Sequence, residues 1–193
     1  MKAFVTSAIT GATFLFANQA IAAPFQGAFL GVHAGWNEDR VHGAQTDLGE
    51  IPVRETGDKF VGGLFAGYDQ RITRHIVIGG EAGFDIAADD RIGEGARYID
   101  PSYTFDVTGR VGYVTSPKTL VYLRGGYENT RARVVNGALR GHDNFDGWTA
   151  GAGLDREILE NVSASLEYRY SDLGSAGHAF DRHQVLAALA YHF

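Results

Sequence analysis

Ser171, Asp172, Ser175 and His183 are residues near the end of this 193-residue chain that could supply a nucleophile, an acid and a base. Such a set works only with its members within hydrogen-bond reach, and closeness in sequence is weak support for that geometry. Histidines His42, His142, His178 and His183 could ligate iron, although none has metal-ligand spacing. Cysteine is absent, which removes disulfides and thiolate metal sites. A larger set consists of Glu81, Arg110, Arg124, Glu128, Asp155, Glu167 and Arg169, charged groups recurring inside otherwise apolar segments. Buried together they would form a salt-bridge network; buried unpaired, each would cost several kcal/mol. Such a network either fills and closes an interior or gates a narrow ion pathway through it.

The elements that carry these residues alternate with period two, the mark of strands with two different faces. They are GAFLGVHAGW (27–36), FVGGLFAGYD (60–69), HIVIGGEAGFDI (75–86), YTFDVTGRVGYV (103–114), LVYLRGGYE (120–128), GWTAGAGLD (147–155), NVSASLEYRYS (161–171) and RHQVLAALAYHF (182–193). Each is long enough for a membrane-crossing strand of about 9–11 residues. Pro24, Pro52, Pro101 and Pro117 all fall between segments, where a missing N–H does no harm. Connections after the first, third, fifth and seventh segments are long; those after the second, fourth and sixth are short. An up-and-down barrel with loops at one end and tight turns at the other has this rhythm.

Sorting the faces separates the chemistry. One face carries Leu30, Val32, Trp36, Phe60, Leu64, Phe84, Val107, Leu123, Leu154, Leu166, Val185 and Tyr191 with no charged residue among them. The other carries Asp69, Glu81, Asp85, Asp106, Arg110, Arg124, Glu128, Asp155, Glu167 and Arg169, interspersed with glycine. A soluble barrel would turn the apolar face inward, and a membrane barrel would turn it out to lipid. Aromatics at the strand ends, glycine crowding the charged face, and acids and arginines at similar heights favour the second arrangement. The expected fold is therefore all-β, an eight-stranded antiparallel up-and-down transmembrane β-barrel over residues 23–193. Its last strand closes on the first, with Tyr191 and Phe193 at the lower lipid interface.

The first residues, MKAFVTSAITGATFLFANQAIAAPF, read as a cleavable signal peptide over 1–22: a basic Lys2, a short apolar run, and a small-x-small site at Ala20-Ile21-Ala22. The formal charge of −6, with Lys2, Lys59 and Lys118 the only lysines, argues against a nucleic-acid partner. Arg131, Arg133 and Arg140 lie in one of the long connections, where outer-rim arginines could hold lipopolysaccharide phosphates.

GWTAGAGLD, NVSASLEYRYSDLG, IGGEAGFD, GRVGYV and the ending AYHF resemble the small outer-membrane β-barrel family of Gram-negative bacteria, the OmpA-like, opacity-type porin-family surface antigens. The resemblance runs over about residues 23–193. It implies a non-enzymatic outer-membrane surface protein that contributes to envelope integrity and presents external loops to host or surface ligands. It also implies outer-membrane lipid as solvent, and Tyr191 and Phe193 as an assembly signal for the barrel-assembly machinery. Because some members bind haem, a haem or small-solute binding or narrow-pore module is the alternative. No cofactor is implied otherwise. Asp155-Arg156 departs from the Glu-Tyr usual at that place, and no cell-wall-anchoring domain is expected to follow the barrel.

Overall fold

The computed structural model describes residues 24–46, 49–87, 97–136, 139–174 and 179–193. The expected signal peptide lies outside the described residues. Eight strands follow one another: β1 (Gly27–Thr46), β2 (Gly49–Arg71), β3 (Ile76–Ala87), β4 (Arg97–Ser116), β5 (Thr119–Asn136), β6 (Leu139–Leu159), β7 (Val162–Asp172) and β8 (Ala179–His192). Each pairs antiparallel with its neighbour, and β8 returns to β1 from Phe29↔His192 to His42↔Ala179, closing the barrel.

The short turns sit together at one end, beside both described termini. Thr73 builds the β2–β3 turn by accepting hydrogen bonds from the amides of His75 (3.3 Å) and Ile76 (3.0 Å). Asn161 takes φ of 63° in the β6–β7 turn, a conformation that asparagine tolerates better than most residues. Phe193 N donates to Ala28 O at 2.9 Å, tying the last residue to the first strand.

Face assignment follows the pleat. Leu30, Trp36, Phe60, Leu64, Leu123, Leu166 and Leu189 all point outward and are exposed. Asp69, Glu81, Asp106, Arg110, Arg124, Glu167 and Arg169 point inward and are buried. Glycine makes room for the largest inward side chains: a Cβ on Gly153 would come within 2.6 Å of the Tyr122 hydroxyl, and one on Gly31 would meet the Phe65 ring.

The long connections differ from expectation. β1 runs on to Thr46 and β2 begins at Gly49, while β5 reaches Asn136 and β6 begins at Leu139, so two expected loops are extended hairpins. The reason is a reversal of polarity along the same strands. Beyond the lipid-facing rows, Val41, Ala132, Val134, Phe145, Leu173 and Phe180 turn inward and cluster. Arg40, Arg131, Arg133, His142, Asn144 and Asp146 turn outward and are exposed. Strand recognition that demands an apolar outer face stops at that boundary. Pro52 and Pro101 consequently fall inside β2 and β4. Each sits at an irregularity, between His42 and Ala44 on the partner β1 and between Pro101 and Tyr103, where a bulge spares the ladder hydrogen bond.

Candidate functional site

The interior is stacked in tiers. At the turn end Phe25, Val77, Val114, Leu120 and Tyr122 form an apolar floor. Above it lies the charged network, and the cluster around Val134, Phe145 and Phe180 caps it on the hairpin side.

Arg124 on β5 is the hub. Its guanidinium donates to Glu81 on β3 at 2.6 Å, to Asp106 on β4 at 2.7 Å and to the Thr108 hydroxyl at 2.7 Å, with Glu167 on β7 at 3.4 Å. Arg169 donates to Glu167 at 2.8 Å and to Asp106 at 3.3 Å, so two arginines share two carboxylates. Tyr122 adds a hydroxyl to Glu167 at 2.7 Å. Arg110 grips Asp69 through both Nε and a terminal nitrogen, stands 3.9 Å from Glu81, and lies over the Phe29 ring at 4.6 Å. His33 closes on Asp85 across β2. That pair passes over Gly63, where a Cβ would collide with both groups.

One tier higher, Arg182 on β8 donates to Asp39 at 2.8 Å, Glu128 at 3.1 Å and Thr104 at 3.0 Å. Ser171 donates to Glu128 at 2.7 Å. Charge-assisted hydrogen bonds of this density offset the desolvation of buried ions, which isolated charges here would not survive.

Of the seven residues expected in this network, Glu81, Arg110, Arg124, Glu167 and Arg169 come together in one connected set. Glu128 belongs to the tier above. Asp155 stands apart, with a hydrogen bond to Ser163 but with Oδ1 buried and unpartnered. Asp39 and Arg182 complete the upper tier and were not expected. Arg182 shares the parity of inward-facing Gln184, a readable signal; Asp39 lies in the extension that looked like a loop. Between floor and network a cavity of about 20 Å³ remains, touched by Asp155, Glu81, Arg110 and His192. That holds about one water, whereas small-molecule sites need about 300 Å³ or more.

Among the described residues the nucleophile–acid–base set does not assemble. Ser171 faces the interior, while Asp172 and His183 lie on the outer side of the wall, with His183 Nδ1 2.7 Å from the Tyr168 hydroxyl. Ser175 and His178 lie outside the described residues, as does the side chain of His42. His142 is exposed on β6, and among the described residues no group of three His, Asp or Glu could hold a metal. Tyr191 and Phe193 are exposed at the turn end, their rings edge-on with centroids 5.1 Å apart.

An apolar wall facing out, an ion-paired interior and a closed eight-strand ring describe a barrel for a bilayer. The profile of the outer membrane protein beta-barrel domain matches residues 7–193. The chain belongs to this family. Among relatives, a 25 kDa outer-membrane immunogenic protein of Brucella ovis is 29% identical over 172 residues, covering 88% of this chain and 76% of that one. The protein of the same description from Brucella canis is 31% identical, and the match covers 76% of this chain and 63% of that one. A 22 kDa outer membrane protein of Rhizobium leguminosarum bv. viciae is 30% identical over 76% of this chain and 68% of its own. Among solved structures, Neisserial surface protein A superposes with a TM-score of 0.58 at 16% identity, over 87% of this chain and 98% of that one. Ail, the attachment invasion locus protein of Yersinia pestis, gives 0.52 at 16% identity, over 86% and 100% respectively, in its complex with the heparin analogue sucrose octasulfate. These structural likenesses concern the fold. The family places the barrel in the outer membrane, with its apolar wall against lipid.

Proposed function

We propose that this outer-membrane barrel is a non-enzymatic structural and display protein: a closed, filled cylinder that strengthens the envelope and holds its extended hairpins outside the cell. The observation that carries this reading is the interior. Ion pairs fill its middle between apolar clusters at floor and cap, so the wall and the hairpins are the surfaces left to act. The immunogenic and surface proteins among its relatives and neighbours fit a chain whose hairpins are visible from outside. Ail, a barrel of similar fold, has been solved in complex with the heparin analogue sucrose octasulfate; host or surface ligands of this chain would meet its extended hairpins.

Assembly is the second part of the reading. Tyr191 and Phe193, exposed at the end of the closing strand, are the groups that the barrel-assembly machinery would read. The test joins two measurements. Purified protein in planar bilayers should give no conductance steps, and a strain lacking the protein should become detergent-sensitive and recover with the intact chain. Stepwise, salt-dependent conductance would replace the structural reading with a pore; detergent resistance unchanged by deletion would remove the envelope role.

A further inference from the structure

Two polar atoms near the turn end stand without a partner. Asp155 Oδ1 on β6 and His192 Nδ1 on β8 are both buried, and neither has a hydrogen bond among the described residues. Their residues are only 4% and 7% exposed, and both line the cavity of about 20 Å³ between floor and network. A buried polar group left unsatisfied bears the full cost of its lost hydration.

The side chain between them fixes where the hydrogens lie. Ser163 on β7 bonds Asp155 on one side and stands 3.1 Å from His192 Nε2 on the other. A carboxylate only accepts, so the single hydroxyl hydrogen of Ser163 goes to Asp155. The Ser163 oxygen then accepts from His192 Nε2–H, which leaves Nδ1 of the neutral ring a bare acceptor. This order of acid, hydroxyl and imidazole is not that of a nucleophilic triad, in which the imidazole lies between the other two.

The cavity therefore meets two bare acceptors and calls for a ligand that donates twice. Its size admits one molecule of water, which needs about 10–15 Å³ and two to four polar partners. Arg110 supplies a third partner. It lines the cavity, and its Nη1 stands 3.9 Å from Glu81, beyond hydrogen-bond reach. Asp69, Glu81 and Glu157 stand around the pair and exclude an anion, while the Arg110 guanidinium on the wall disfavours a metal cation.

We propose that this cavity is a binding site for one water molecule, which donates to Asp155 Oδ1 and His192 Nδ1 and accepts from Arg110. The water joins β4, β6 and β8, three strands of which no two are neighbours in the ring. It ties the closing strand to the ionic network from inside, while Tyr191 and Phe193 on either side of His192 face outward.

The test reads the water and its coupling separately. In the isotope-labelled barrel in detergent micelles, nuclear magnetic resonance should show the His192 ring as the Nε2–H tautomer. A rotating-frame Overhauser cross-peak should connect its Hε1 to a long-lived water. For the energetics, Asp155→Leu and His192→Phe each remove one acceptor at nearly constant shape, and Ser163→Ala removes the direct link. Urea unfolding in phospholipid vesicles is then measured in the Ser163→Ala background. There the double substitution should cost about 10-fold less in the unfolding equilibrium constant than the product of the two single ones. Boiled-against-unboiled mobility verifies that each variant is folded. Additive losses in that background overturn the proposal, because Ser163 alone would then link the pair. A native His192 ring with no water cross-peak overturns it as well, and that reading needs no variant to fold. A urea midpoint raised by sodium chloride but not by choline chloride, in the native chain and not in Asp155→Leu, would put a cation in the cavity and equally overturn it.

Discussion

Arg124→Met offers a sharp test of the interior, because its neighbours are unequally dependent on it. Asp106 and Glu167 both retain Arg169, at 3.3 Å and 2.8 Å. Glu81 retains only Arg110 at 3.9 Å, a guanidinium already committed to Asp69. Removing Arg124 therefore strands mainly one carboxylate. Breaking a buried pair from one side costs about 3–5 kcal/mol, most of it the penalty of the charge left behind. Adding Glu81→Gln should then restore about 1–3 kcal/mol, the coupling expected of direct partners. Adding Asp106→Asn instead should restore less than about 1 kcal/mol, because Asp106 is still held and its loss weakens Arg169. The measurement is urea unfolding of each variant in phospholipid vesicles, read by tryptophan fluorescence and by heat-dependent mobility in gels. Equal rescue by both second substitutions would refute the reasoning, since it would make the interior a diffuse charge reservoir rather than a wired network. Additive losses with no rescue would refute it too.

Three other outcomes are expected. Leu166→Arg puts a charge on the exposed outer face and should destabilise the barrel by about 2–4 kcal/mol if it lies near the bilayer midplane; normal stability in the same unfolding assay would mean that this row does not meet lipid. Gly153→Val must displace the Tyr122 ring and with it the hydrogen bond to Glu167; a loss of about 1–3 kcal/mol is expected, with a changed near-UV circular dichroism spectrum. Phe193→Ser should lower the amount of heat-modifiable barrel in cells while leaving refolding of the purified chain into detergent intact, which separates recognition during assembly from stability; equal loss in both settings would make Phe193 a packing residue.

The membrane-spanning wall was legible because lipid imposes one rule on every strand: Leu30, Leu123 and Leu166 must all face outward, and a period-two pattern reveals them. Above the lipid that rule reverses. Val134 and Phe145 turn inward and Arg133 and His142 outward, as in a water-soluble sheet, so the upper halves of β1, β2, β5 and β6 read as loops. The membership of the ionic set was partly legible for the same reason, since Glu81, Arg124 and Glu167 share the inward parity. Its wiring was not. Arg124 finds Glu81 two strands away on one side and Glu167 two strands away on the other, a consequence of how a narrow ring folds facing strands together. Sequence parity fixes a face but gives no distance across a lumen. Asp155 shows the converse: correct parity, yet its height leaves it short of every guanidinium fork.

The unequal lengths of the strands have a consequence for backbone exchange with solvent. From Trp148 to Arg156 each residue of β6 is paired on both sides, with β5 and with β7, but residues 139–147 pair only with β5 among the described residues. Likewise β2 is paired with both β1 and β3 from Val61 to Asp69, and above Val61 only with β1 among the described residues. Amides that point to that side have no ladder partner among the described residues. In deuterated buffer they would exchange early, alternating residue by residue with protected neighbours along the same strand. The lower rows would hold their protons until the whole ring opens. A single molecule would thus show two clocks: a slow one set by the closed cylinder, and a fast one ticking along the two strand edges that no described strand covers.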